Sequence, residues 1–112
     1  MTLRTDAASY HAGDTVTVTL RNGTSGSIRF QNQESDCGVI VLLRLEGGTW
    51  KGVDLCPHLG LPALYVQLDA GQSQTERVRP DTTGTYRVEL DYFVALDGTP
   101  STVVSSAGFQ VT

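Results

Sequence analysis

Residues 82–96, TTGTYRVELDYFVAL, decide how the rest of this chain is read. Tyr86, Val88, Leu90 and Tyr92 alternate with Arg87, Glu89 and Asp91. A period of two puts the apolar set on one face of an extended strand and the charged set on the other. Turn residues bound the stretch, with Thr82-Thr83-Gly84 before it and Asp97-Gly98-Thr99-Pro100 after it.

The same reading extends outward. In DTVTVTLRN, residues 14–22, Val16, Val18 and Leu20 face one way and Thr15, Thr17, Thr19 and Arg21 the other. NGTSGS, residues 22–27, breaks that pattern, and IRFQNQ resumes it with Ile28 and Phe30 on one face, so the pair reads as a hairpin. VIVLLRL, residues 39–45, is an almost unbroken apolar run, expected of a central strand covered on both faces. Two shorter strands flank the turn at Asp69-Ala70-Gly71, and STVVSSAGFQV closes the chain.

About seven to nine strands at intervals of roughly 8 to 12 residues, with no helical segment, define an all-β chain built as a two-sheet sandwich or small barrel. Threonine, valine, glycine and serine are abundant while lysine and alanine are scarce, which favours strands and turns. At 112 residues a single domain, 1–112, is expected. No apolar run approaches the roughly 20 residues of a membrane span. A net charge of -4, with the arginines scattered, excludes nucleic acid and anionic membrane as expected partners.

Both cysteines, the only tryptophan and one of the two histidines fall in ESDCGVIVLLRLEGGTWKGVDLCPHLG. If Glu46 and Gly47 are the central residues of a tight turn, Leu43 faces Trp50 and Cys37 faces Cys56, close enough for a disulfide. A Gly47-Gly48 turn shifts that register by two residues. A staple closing such a loop would stabilise by roughly 3 kcal/mol, which suffices as its reason. A redox pair would favour Cys-x-x-Cys, and structural zinc wants four ligands. Blue copper needs two histidines, a cysteine and usually a methionine, whereas here His11 and Met1 belong to the N-terminal segment. No metal and no cofactor is expected.

The N-terminus, MTLRTDAASYHAG, lacks a basic start and an apolar stretch. That leaves a cytosolic protein or a mature exported domain without its signal segment, and paired cysteines favour the extracytoplasmic reading: periplasmic, cell-surface or secreted. Without a GxSxG, HExxH or phosphate-binding loop, the chain is expected not to be an enzyme. Asn22-Gly23-Thr24 matches a glycosylation sequon, yet Asn-Gly is also a favoured turn pair, and the turn is the expected role. Tyr65, Tyr92 and Phe93 could form a binding face, although core packing is expected for most of them.

TTGTYRVEL resembles the immunoglobulin-like signature in which a turn glycine stands two residues before a tyrosine. YHAGDTVTVTLRN, LDAGQS and the closing FQV look like bacterial immunoglobulin-like domains of exported and cell-surface proteins. With GGTWKG in mid-chain, the layout is also similar to the bacterial intracellular proteinase inhibitor family. The resemblance implies an immunoglobulin-like β-sandwich in which Tyr86 makes a tyrosine-corner hydrogen bond. It departs from antibody domains in its cysteines, which are spaced for one hairpin rather than for an inter-sheet bridge.

The function expected is a non-catalytic binding or structural module that recognises a protein or cell-surface component. Its working surface would be a sheet edge or the loop CPHLGLP, where Pro57, His58, Leu59 and Leu61 form the candidate contact. The alternative is a protease inhibitor presenting that disulfide-anchored loop.

Overall fold

The computed structural model describes residues 1–31, 39–53, 65–94 and 101–112. Among them are eleven strands and no helix: β1 (Thr2–Thr5), β2 (Ser9–Tyr10), β3 (Val16–Arg21), β4 (Ile28–Gln31), β5 (Val41–Glu46), β6 (Thr49–Val53), β7 (Tyr65–Leu68), β8 (Ser73–Val78), β9 (Gly84–Tyr92), β10 (Thr102–Ser105) and β11 (Phe109–Val111). The architecture is all-β and sandwich-like. One sheet has the order β1-β3-β8 and the other β2-β11-β9-β5-β6, with β10 also on β9, while β4 and β7 form a third pair.

Two more strands are present than the upper end of the range expected, because long strands are broken where they kink. β10 and β11 lie on the same side of β9, pairing Thr102 to Ser105 with Tyr92 to Glu89 and Phe109 to Val111 with Tyr86 to Gly84. Between them Ser106 bonds Val88 through both its backbone N–H and its side-chain oxygen, a local excursion that interrupts the ladder. The N-terminal strand is divided likewise: β1 pairs with β3, and β2 crosses to the other sheet to run parallel to β11.

The alternating faces read from the sequence are the core. Val16, Val18, Leu20, Ile28, Phe30, Val88, Leu90 and Phe109 are all buried. The hairpin expected between residues 14–22 and 28–33 does not form. β3 pairs with β8 and β4 with β7, so both belong to one long ribbon. Where the ribbon bends, residues 22–27 stand opposite residues 69–72, between the pairs Arg21 to Ser73 and Ile28 to Leu68. Asn22 N–H donates to the Gln72 carbonyl at 2.9 Å and Gly71 N–H to the Asn22 carbonyl at 2.7 Å, so the corner is cross-linked. Beyond it, Arg29 and Phe93 exchange backbone bonds of 2.8 and 2.6 Å, joining the ribbon to the end of β9. Strands that change sheets through such a bend are how a sandwich closes a corner.

The hairpin register is also corrected. β5 and β6 meet in a Gly47-Gly48 turn that opposes Leu45 to Trp50 and Leu43 to Gly52, not Leu43 to Trp50. Gly47 and Gly48 have φ of 58° and 81°, the two positive values that the twist-matched two-residue turn demands. A turn centred on Glu46 and Gly47 would force a side-chain-bearing residue into that region. The direct opposition of Cys37 and Cys56 was drawn from the rejected register; both cysteines lie outside the described residues.

Gly84 carries a second demand for glycine. Its φ is 154°, and a Cβ there would stand 2.7 Å from Arg44 Nε. Gly84→Ala is expected to cost about 1–3 kcal/mol, read as a lower urea midpoint at unchanged slope. An unchanged midpoint would show that Arg44 moves aside freely.

Candidate binding surface

Antiparallel pairing places several chain exits at one end of the molecule. β9 ends at Tyr92 opposite the start of β10, β5 begins at Val41 opposite Glu89, and β6 ends at Val53 opposite Leu42. Phe93 at this end pairs with Arg29, which lies two residues from the end of β4, and Gln31 there opposes Tyr65 at the start of β7. The flanks of residues 32–38, 54–64 and 95–100 therefore share one end. Cys37, Cys56, Pro57, His58, Leu59 and Leu61 belong to these segments and lie outside the described residues. Tyr65 and Val94, which border them, are 73% and 63% exposed.

Tyr65, Tyr92 and Phe93 do not make a common face. Tyr92 is buried in the core and Phe93 is half-buried, leaving Tyr65 alone in solvent. The sheet face that does carry exposed apolar groups is elsewhere. β5 is central, but only its inward side is covered: Leu42 is buried, whereas Val41 is 49% and Leu45 38% exposed. The expectation that residues 39–45 are covered on both faces is thus corrected for the described strand.

On this outward face Leu45 opposes Trp50 and Leu43 opposes both Gly52 and Arg87. The Arg87 guanidinium reaches across β5 to lie 4.5 Å from the centre of the Trp50 ring, while its Nη2 bonds Glu89 Oε1 at 2.8 Å. Such a contact contributes roughly 0.5–1 kcal/mol where exposed. Arg87 stands opposite Leu43 in the ladder, and Leu43 is half-buried. Trp50 and Arg87 were not marked by sequence reasoning. Their spacing of 37 positions becomes a contact only once the β6-β5-β9 order is known.

The Tyr86 hydroxyl donates to the Thr82 carbonyl at 2.7 Å, and its ring stacks on Phe109 at 5.9 Å between centroids. Nearby, Tyr10 hydroxyl donates to Asp6 Oδ1 at 2.6 Å and Thr17 N–H donates to the same oxygen at 3.0 Å. These bonds, Tyr10's above all, hold the Asp6 carboxyl below its ordinary range. Burial, then the Asp6 bond, pushes the Tyr10 phenol up. Asp69 is lowered in the same sense by Gln67 and Ser27.

A depressed carboxyl pKa contributes stability above the unfolded value, near 4, and loses it as pH falls through the folded one. Urea midpoints should therefore fall as pH drops below about 4, and Asp6→Asn should flatten part of that fall. Parallel wild-type and variant curves would remove Asp6 from the account.

Asn22, the sequon asparagine, is fully buried and spends both amide hydrogens on the Gly26 and Leu68 carbonyls. The folded protein offers no amide there for a glycan. Among the described residues no group of three His, Cys, Asp or Glu side chains is placed to hold a metal ion, and no helix is long and apolar enough to cross a membrane.

Fold and surface together define an all-β sandwich-like domain with one end and one sheet face carrying exposed apolar groups. No family model matches the chain, and no curated protein matches it significantly.

Proposed function

We propose that this chain is a non-catalytic, exported immunoglobulin-like module that recognises a protein or cell-surface component through the end bordered by Tyr65 and Val94. The observation that carries this reading is that the described flanks of residues 32–38, 54–64 and 95–100 share one end, where Tyr65 and Val94 are exposed. Loops displayed by a rigid sandwich are a common way to present contact residues, and an exposed aromatic side chain such as Tyr65 suits protein recognition. The sheets supply the rigidity; the connections supply the specificity.

The test uses fluorescently labelled protein on bacterial envelope preparations, with and without prior protease digestion of the envelopes. Saturable binding that digestion removes, and that Tyr65→Ser with Val94→Ser weakens at least about tenfold at unchanged thermal midpoint, supports the module. Binding that ignores both substitutions moves the contact away from this end. A parallel panel of serine, cysteine and metalloproteases addresses the inhibitor alternative, because stoichiometric inhibition would replace envelope recognition as the reading.

A further inference from the structure

The β6 edge carries a recognition pattern that the loop end does not. Among the described residues β6 pairs only with β5, and Thr49, Lys51 and Gly52 are exposed. In a hairpin closed by a two-residue turn, the flanking pair Glu46 and Thr49 is hydrogen-bonded, and bonded pairs then alternate. Thr49, Lys51 and Val53 direct their backbone groups at β5. Trp50 and Gly52 direct theirs outward, so among the described residues the edge offers two N–H donors and two carbonyl acceptors in extended geometry. No proline interrupts it, and Gly52 adds no side chain beside Trp50.

The side chains along this edge select by face. Lys51 lies on the side opposite Trp50, beside Arg44, and these two cations share one carboxylate: Glu46 Oε1 is 3.2 Å from Arg44 Nη1 and Glu46 Oε2 is 3.7 Å from Lys51 Nζ. The Lys51 side chain is 61% exposed. A residue on an added antiparallel strand opposite Lys51 occupies a non-hydrogen-bonded pair, where side chains approach most closely. Among the described residues Arg44, Lys51 and Glu46 leave one net positive charge, which an acidic residue there balances. Its two neighbours fall on the other face, beside Trp50 and Gly52, where Leu45 and Leu43 continue an apolar surface.

Resting on the reading of the domain as a binding module, we propose that β6 accepts an extended segment of another protein, one with an acidic residue between two apolar residues, as an added antiparallel strand. A second copy of this chain does not fit. Pairing β6 with itself through both outward residues would set Lys51 against Lys51, like charges at the closest spacing.

The probe is the peptide acetyl-Ser-Val-Glu-Val-Ser-amide, titrated into isotope-labelled full-length protein, with lysine in place of its glutamate as the comparison. Amide exchange at Trp50 and Gly52 should slow at least about tenfold at saturation, and the lysine peptide should bind about tenfold more weakly. Lys51→Glu should invert the preference between the two peptides. Gly52→Pro removes one outward donor without touching the β5 ladder and should abolish binding of both; if that variant fails to fold, the charge inversion alone decides. Equal affinity for the two peptides, or no added protection at Trp50 and Gly52, overturns the proposal. Peptide failure with envelope binding intact rejects the edge and leaves the module reading standing; peptide binding with no envelope partner supports the edge and rejects the loop-end reading.

Discussion

Asn22→Asp is expected to destabilise the protein by about 3 kcal/mol or more, lowering the urea midpoint by about 1–3 M. Asn22 is 0% exposed at the corner of the ribbon. Its Nδ2 donates to Gly26 O at 2.8 Å and Leu68 O at 2.9 Å, and its Oδ1 accepts from Thr24 N–H at 3.0 Å and Thr24 hydroxyl at 2.6 Å. Aspartate is nearly the same shape but has no hydrogens for those two carbonyls. It would place a negative charge against two carbonyl oxygens in a site closed to water. Gly23→Ala serves as the control, since its Cβ would enter open space, and should change stability by less than about 0.5 kcal/mol. A loss below about 1 kcal/mol for Asn22→Asp would mean that the corner rests on its backbone bonds alone.

Phe109→Ala is expected to cost about 4 kcal/mol. Phe109 is fully buried, meeting Tyr10 edge-on at 5.5 Å and stacking on Tyr86 at 5.9 Å with 16° between planes. The loss combines the transfer of a large ring, the cavity left behind and two aromatic pairs of roughly 0.5–1.5 kcal/mol each. Phe109→Leu keeps most of the volume and should cost roughly 1.5 kcal/mol, so the difference between the variants isolates the cavity. Calorimetric midpoints of both, taken at one pH, provide the measurement. If alanine costs no more than leucine, the three rings collapse onto the space and the cluster is not a rigid unit.

The legible part of the fold was the part written in a single period. Alternation in residues 16–20 and 86–92 specified strands and their buried faces, because each of those strands has one wet side and one dry side. Alternation failed at VIVLLRL, where outward Val41, Leu43 and Leu45 are as apolar as inward Leu42; the sequence could not tell a doubly covered strand from one with an exposed apolar face. The corner was misread for a different reason. Asn-Gly is a turn pair by local chemistry, but Asn22 is recruited by Leu68, 46 positions away, and that long-range demand converts a reversal into a bend. The glycine pair 47–48 was ambiguous only in register, and the need for two positive φ values settles it. Of the candidate surface, Pro57, His58, Leu59 and Leu61 are named from the sequence alone and lie outside the described residues. The Trp50 and Arg87 stack and the outward amides of β6 could not be named in that way, since both depend on strand order and pairing parity.

The parallel contact of β2 with β11 sets an order of events during synthesis. Ser9 and Tyr10 find their sheet partners in Gln110 and Val111, about a hundred positions later in the chain, and Thr112 N–H donates to the Tyr10 carbonyl at 2.9 Å. Before residues 109–112 are made, β1 can already lie against β3, yet β2 lacks its partner β11 and Tyr10 lacks the Phe109 ring that meets it edge-on. β11 is therefore the strand that docks the first crossover. Pairing of β2 waits for β11 to be made and proceeds at the slow pace of contacts distant in sequence.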